Sequence, residues 1–332
     1  MTVVAKTRSL AGKQVMPVGL GCMNLSHAYG LPPSREKALN VLERALDLGI
    51  EHFDTAALYG FGKNEELVGS FVKAHRNKVL LTSKCGMQGV DGVRVIDGRP
   101  ETLVASLENS LKRLGTDVID LFYLHRWDKN VPIEESVGAM SRMVEQGKIK
   151  AIGLSEVGAE ALRRAHAVHP IAAVQSEYSL WSRNVEIALL DACRDLGCAF
   201  VAFSPLARGF LTDADLVPED FAEKDIRRGM PRFKEPHFSA NMKFMPEFRA
   251  LAKEAGCSAV QLALAWVLQK GDHIHAIPGT TSIEHLEENV AAGALNISGP
   301  ILDKVNQLIN ASTVSGPRYP AGTQKEVDTE EF

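Results

Sequence analysis

The chain has no Cys-x-x-Cys pair, no long apolar run and no large excess of either charge. Its five cysteines in 332 residues (Cys22, Cys85, Cys193, Cys198, Cys257) are an odd, scattered set. They read as reduced thiols of a cytoplasmic protein rather than as a disulfide framework. No stretch of about 18 apolar residues is present to cross a bilayer. The opening MTVVAKTRSL has neither the apolar core nor the small-residue cleavage site of a secretory signal. With 37 basic against 41 acidic side chains and a net charge of −4, no polybasic face for nucleic acid or anionic lipid is expected. Histidine is sparse, and its two close pairs, His166/His169 and His273/His275, lack the carboxylates a metal centre needs, so no metal is expected. Also missing is the glycine-rich dinucleotide fingerprint. Gly19-Leu-Gly21-Cys22-Met23-Asn24 lacks the third glycine and an immediate helix, which argues against a doubly wound nucleotide-binding sheet.

What is present is a regular alternation. Apolar, strand-forming runs occur at Pro17–Cys22, Ile50–Thr55, Val79–Lys84, Ile119–His125, Lys150–Ser155, Ala172–Glu177, Ala199–Ser204 and Ile274–Pro278. Most are nearly continuous apolar segments, as expected of parallel strands covered on both faces. Amphipathic segments lie between them with recognisable punctuation. Ser34 precedes the first, Asn64 is a candidate cap for the second, Pro100 and Pro132 open the third and fourth, and Gly115 and Gly147 close them. Further helices are expected at Ala159–Val168, Val185–Leu196, Ser258–Gln269 and Ser282–Ala292. Eight strand–helix repeats predict an α/β fold, a (β/α)8 TIM barrel, with residues 1–332 as a single domain. Residues 6–16 read as a hairpin plugging the bottom of the barrel. Residues 207–245, rich in phenylalanine, read as a long loop after strand 7 with a lid or binding role. The tail, 314–332, reads as extended and mobile.

In such a barrel the chemistry belongs where strands end. Polar groups recur there: Asp54 and then Tyr59 after the second strand, Lys84 after the third, His125 after the fourth, Ser155 after the fifth and Gln175 on the sixth. Any one of these has a structural explanation, such as a helix cap or a turn residue. An acid, an amine, a phenol and an imidazole converging on one mouth point instead to proton transfer.

These residues sit in segments that resemble the aldo-keto reductases: FDTAALYG (Phe53–Gly60), TSK ending at Lys84, YLHRWD around His125, GLSE (Gly153–Glu156), QSEYSLWSR (Gln175–Arg183), AFSPLARG (Ala202–Gly209) and IPGTTSIEHLEEN (Ile277–Asn289). The resemblance spans nearly the whole chain, in order, and is nearest to the branch that reduces diverse aldehydes and ketones. It implies hydride transfer between NADP(H), with NAD(H) possible, and a small-molecule carbonyl substrate. Asp54, Tyr59, Lys84 and His125 would be catalytic: Tyr59 the proton donor, Lys84 lowering its pKa, Asp54 orienting the lysine and His125 orienting the carbonyl. Ser155 and Gln175 would hold the nicotinamide amide, Phe203 would lie against its ring, and Met23 would border both cofactor and substrate. Ser204, Leu206, Arg208 and Gly209 would meet the pyrophosphate. Gly279, Thr280, Ser282 and His285 would surround the adenosine phosphate at a helix N-terminus, and Glu288 and Asn289 would contact adenine. Leu25, Tyr29, Leu58, Trp127 and part of the Phe-rich loop would form an apolar substrate pocket. The alternative is a redox-sensing or regulatory subunit that binds the cofactor and turns it over slowly.

Two departures stand out. Glu156 replaces the asparagine common after the serine, and no lysine or arginine occurs among Gly279, Thr280, Thr281 and Ser282, where strongly NADP-selective relatives often have one. A lost charge-assisted contact to the 2′-phosphate is worth about 1.5–3 kcal/mol. NADPH should therefore be preferred over NADH by less than about 1000-fold in kcat/KM, measured with both nicotinamides on one substrate; a larger ratio contradicts this reading.

Overall fold

A computed structural model describes residues 6–90 and 93–332. A hairpin of β1 (Arg8–Leu10) and β2 (Lys13–Val15) precedes the alternation. Then follow β3 (Leu20–Gly21), α1 (Arg35–Asp47), β4 (His52–Asp54), α2 (Lys63–His75), β5 (Leu80–Cys85), a second hairpin β6 (Met87–Val90) and β7 (Val93–Ile96), and α3 (Pro100–Leu114). Next come β8 (Leu121–Leu124), α4 (Ile133–Glu145), β9 (Ile152–Ser155), α5 (Ala159–Val168), β10 (Ile171–Glu177), α6 (Leu189–Asp195) and β11 (Ala199–Phe203). The chain ends with α7 (His237–Met242), α8 (Met245–Glu254), α9 (Ala259–Leu268), β12 (Ile274–Ala276), α10 (Ile283–Ala292), α11 (Gly299–Leu308) and α12 (Ala321–Gln324).

Eight strands form one parallel sheet in the order β12-β11-β10-β9-β8-β5-β4-β3. The sheet closes on itself: Val18 bridges Ala276 in parallel, and the Ala276 and Gly19 amides bond Pro17 O and Ala276 O, each at 2.8 Å. This is the (β/α)8 barrel the alternation predicted. Strand parity divides the core in two. On β5, Leu81 and Cys85 join the large cluster between sheet and helices, whereas Leu80 joins the smaller one inside the barrel. Leu10 and Val15 of the hairpin pack into that inner cluster with Leu121, Tyr123 and Val201. The Arg8 guanidinium fastens the plug to the carbonyls of Leu268 and Gly271. Ala11 and Gly12, at φ 48° and 79°, make the two-residue turn with both central residues left-handed that suits a tight hairpin.

Several helix signals fall where they were expected. Ser34 Oγ accepts the Lys37 amide, Pro100 begins α3, and Gly115, at φ 64°, ends it. Asn64 is different: α2 is entered through Gly62, and Asn64 lies inside the helix, fully buried. Its side chain instead accepts from Thr55 Oγ1 at 2.6 Å and donates to Cys22 O and Ser26 Oγ, so it joins the ends of β3 and β4. Helix α6 starts later than expected because a short 3-10 turn, Asn184–Glu186, precedes it.

The segment after β11 is also more ordered than a plain loop. It contains 3-10 turns and α7, and its Phe210, Phe233 and Phe244 are buried with Trp181 as an aromatic part of the main core. The part of this loop that lines the central cavity includes Thr212, Ile226 and Met230, whereas its phenylalanine rings pack on one another. The tail, expected to be mobile, is docked, with Arg318, Tyr319 and Val327 buried.

The inner core leaves little room at Gly153, where an added Cβ would lie 2.3 Å from Tyr123 Cδ1. Gly153→Ala should cost about 1–3 kcal/mol, seen as a lowered denaturation midpoint with the cooperative transition retained. An unchanged midpoint would show that the Tyr123 ring can move aside.

Candidate active site

Three neighbouring parallel strands bring the polar groups together. Register places Asp54 opposite Thr82 and Lys84 opposite Tyr123, so β4, β5 and β8 deliver their terminal side chains to one end of the barrel. Lys84, fully buried, donates from Nζ to Asp54 Oδ1, to Thr55 O at 2.9 Å and to Tyr59 Oη at 3.1 Å. These three acceptors match the three N–H bonds of an ammonium. Asp54 is saturated from its other oxygen: Thr82 Oγ1 donates at 2.8 Å and Gln175 Nε2 at 2.9 Å. His125 completes the group, its ring meeting Tyr59 edge-on at 83°, with centroids 5.8 Å apart.

Charge states follow from these surroundings. Burial alone would depress the Lys84 pKa, but Asp54 and Tyr59 more than offset it; the net direction is upward and the ammonium stays charged. At Tyr59 the influence of Lys84 has the expected direction, but another outweighs it. Burial is the larger influence and holds the phenol above its ordinary pKa of 10.0, with Lys84 pulling the other way. The resting group is therefore a neutral phenol with an ammonium behind it. Burial, then Arg126, Lys84 and Arg94, push the His125 pKa well below 6.5, leaving a neutral imidazole.

A cavity of about 1090 Å³ opens over these groups. Asp54, Tyr59 and His125 line it, and Lys84 lies just behind. Met23, Ser155, Gln175, Phe203, Ser204, Leu206, Arg208 and Gly209 are on its wall, as are Gly279, Thr280, His285, Glu288 and Asn289. Tyr29 and Leu58 also reach it.

Three assigned residues do not line it. Ser282 instead caps α10, its Oγ accepting the His285 amide. Leu25 is buried in the main core at 3% exposure. Trp127 turns outward, donating Nε1–H to Val131 O while Lys129 sits over its ring. Arg208 lines the cavity, but its guanidinium is committed to Glu177 at 2.6 Å and to the Tyr29 and Tyr319 hydroxyls. Gln175 spends an N–H on Asp54, a positioning contact the sequence did not reveal.

Residues 17–310 match the model of the aldo/keto reductase family. The chain belongs to the aldo/keto reductase family. It is 41% identical over 314 residues to probable aldo-keto reductase 1 of Glycine max, covering 94% of this chain and 90% of that protein. It is 39% identical over 328 residues to aldo-keto reductase yakc (NADP(+)) of Schizosaccharomyces pombe, covering 97% and 96%. Among solved structures it resembles a glycerol dehydrogenase from Gluconobacter oxydans (TM-score 0.84, 28% identity, 97% of this chain and 99% of that one). It also resembles an aldo-keto reductase from Klebsiella pneumoniae in complex with NADP and acetate (TM-score 0.73, 27% identity, 98% and 100%).

In this aldo/keto reductase the mouth has contributions that sequence reasoning missed. Met87 and Arg94 of the β6–β7 hairpin line the cavity, as do His27, Arg126 and, from the tail, Tyr319 and Thr323. The tail is held by ion pairs from Glu326 to Arg94 and from Asp328 to Lys129. Its acids also serve α5, which has no side-chain cap of its own: Glu330 Oε1 accepts the Ala159 amide at 2.7 Å. Glu156, in place of the common asparagine, pairs with Arg318 and accepts the Glu177 amide at 2.9 Å. It is thus a fastening point for the tail, not a bare anion. Arg318→Ala would leave that carboxylate buried without its cation, a loss of about 3–5 kcal/mol. The variant should show a lowered denaturation midpoint and early proteolytic cleavage after residue 314; wild-type resistance would contradict this role.

Proposed function

We propose that this protein reduces aldehydes and ketones to alcohols with NADPH, Tyr59 delivering the proton to the carbonyl oxygen. The observation that carries the reading is the charged Lys84 amine 3.1 Å from the Tyr59 hydroxyl at the floor of the cavity. Together with the likeness to aldo-keto reductase yakc (NADP(+)) and to an aldo-keto reductase in complex with NADP, it favours carbonyl chemistry over passive binding.

The cavity suits a dinucleotide. On its wall Asn289 Oδ1 is a buried acceptor without a donor among the described residues, matched to an exocyclic amine such as that of adenine. Beside it the N-terminus of α10 offers backbone donors to a phosphate. Gly279 has no room for a side chain, since a Cβ there would lie 2.2 Å from Asn24 Oδ1. Ser155 Oγ and the Phe203 ring would hold and back the nicotinamide. When bound, the nicotinamide supplies the hydride.

The residues of the chain do the rest. The neutral Tyr59 phenol and the neutral His125 imidazole are both able to donate to one carbonyl oxygen. As charge builds on that oxygen, the phenol O–H bond breaks and the proton moves to it. The resulting phenolate is matched by the Lys84 ammonium, whose other bonds go to Asp54 and Thr55 O. Lys84 therefore acts mainly as the phenolate forms, consistent with a resting phenol that burial keeps protonated.

Tyr59→Phe should reduce ketone turnover by at least about 1000-fold while leaving the dissociation constant for NADPH within about threefold, read by fluorescence titration. Lys84→Met should be equally damaging to turnover. Strong residual activity in Tyr59→Phe would name another acid. The pH profile has a definite sign. His125 is already neutral well above its depressed pKa, and Tyr59 keeps its proton past the ordinary tyrosine range. The reductive kcat should therefore run flat from about pH 6 to 9 with no histidine inflection near 6.5. A fall through that point as pH rises would mean that an imidazolium is required.

A further inference from the structure

Arg126 is a cation at the cavity that the proposed chemistry leaves unused. It follows His125 directly and lines the cavity beside Tyr59 and Ser155. One edge of its guanidinium is fixed: Nη1 donates to His125 O at 2.7 Å and to Ser155 Oγ at 3.3 Å. The other edge is not. Nε is a buried donor without an acceptor, and Nη2 makes no hydrogen bond among the described residues. Nor does Arg126 form an ion pair among the described residues. The nearby carboxylates are taken: Glu177 by Arg208 and Glu156 by Arg318. Arg126 acts electrostatically on both Tyr59 and His125, so it faces the reacting end of the cavity. Arg94 lies at the same end, further out and tied to Glu326.

Nη2 is the guanidinium nitrogen left to meet a ligand, and a charge-assisted N–H bond to a carboxylate is the contact that suits it. We propose that Arg126 is a substrate-specificity residue that binds a carboxylate, so that the preferred substrates are oxo acids or aldehydes whose carboxylate lies within a few bonds of the carbonyl. The apolar wall of Met23, Leu58 and Met87 would take the rest of the molecule. This rests on the carbonyl-reductase reading above and goes one step beyond it, from a reaction to a substrate class.

The test uses the full chain with NADPH and a matched pair, 4-carboxybenzaldehyde and its methyl ester. The acid should exceed the ester in kcat/KM by about 10- to 100-fold, the scale of a good charge-assisted pair. Arg126→Ala should bring that ratio close to one, and Arg126→Lys, which keeps the charge but not the placement of Nη2, should fall between. The second readout needs no turnover: calorimetric titration of benzoate into the protein–NADP+ complex, with saturable binding in wild type and at least tenfold weaker binding in Arg126→Ala. Equal kcat/KM for acid and ester in wild type, or a ratio unmoved by Arg126→Ala, overturns the proposal. So does an effect of the variant confined to the KM for NADPH, which would assign Arg126 to the cofactor. If no aldehyde is reduced, the carbonyl-reductase reading fails, and benzoate binding alone decides the anion site: binding lost in Arg126→Ala sustains it, and absent binding removes it.

Discussion

A positive charge sealed from water at the end of a barrel is the feature on which the rest of this structure depends. Burying an ammonium carries an effective penalty of several kcal/mol even after relaxation, and it is tolerated only where geometry and hydrogen bonding are complete. Lys84 meets that condition with three acceptors for three donors. The requirement propagates outward. Asp54 must be ionised and aimed, so Thr82 on the adjacent strand and Gln175 on β10 each give it a hydrogen bond. Thr55 must present its carbonyl, and its side chain is anchored to Asn64 at the start of α2. Tyr59, between Thr55 and Asn64 in the chain, is thereby held between two fixed points.

The barrel supplies the rigid ring on which this can be built, and the connections leaving its strands carry the strain. Phe61, Glu156, Ser204, Ala207 and Arg208 are non-glycine residues with positive φ, and all follow the carboxyl ends of strands at the mouth. Such conformations cost of order 1–3 kcal/mol each and persist only when their surroundings over-determine them. Here the surroundings are visible. Glu156 is clamped by Arg318 and by the backbone of Glu177, and Arg208 by Glu177 and two tyrosines. The C-terminal tail is therefore part of the wall of the cavity rather than an appendage to it.

The barrel was legible because its signals are local and repeated: apolar runs for strands, and caps such as Ser34, Pro100 and Gly115 for helices. The meeting of Asp54, Tyr59, Lys84 and His125 was legible because three lie at or next to strand ends and Tyr59 follows in the turn after β4, all inside recognisable motifs. What escaped depends on partners distant in sequence. Asn64 carries the composition of a helix cap, yet its contacts are to Cys22 and Ser26, 42 and 38 residues away. The tail looked extended because of Gly316, Pro317, Pro320 and its acids. Those same acids are what dock it, against Arg94, Lys129 and the open N-terminus of α5. The resemblance implies Trp127 in the pocket, but a place in a motif does not fix the direction of a ring, and the Val131 carbonyl accepts its N–H. The β6–β7 hairpin left only a short signal, Val93 and Val95 on either side of Arg94, which the strand–helix rhythm obscured.

Charge placement along the cavity also bears on how a single lysine can serve both rest and reaction. A cation strong enough to ionise Tyr59 at rest would leave no proton to give. One too weak would not favour proton loss when it is needed. Burial resolves the conflict by penalising the lone phenolate, so that the resting tyrosine keeps its proton despite the adjacent ammonium. On the proposed reading, the penalty is relieved only as the proton moves toward the carbonyl oxygen and the charge on the phenolate comes to face Lys84. The stabilisation is then greater in the transition state than in the ground state, which is the condition for an interaction to raise turnover and not merely binding. A neutral His125 fits the same arrangement. An imidazolium would place a second full charge beside the ammonium, whereas the neutral ring offers a donor to the carbonyl without opposing the lysine.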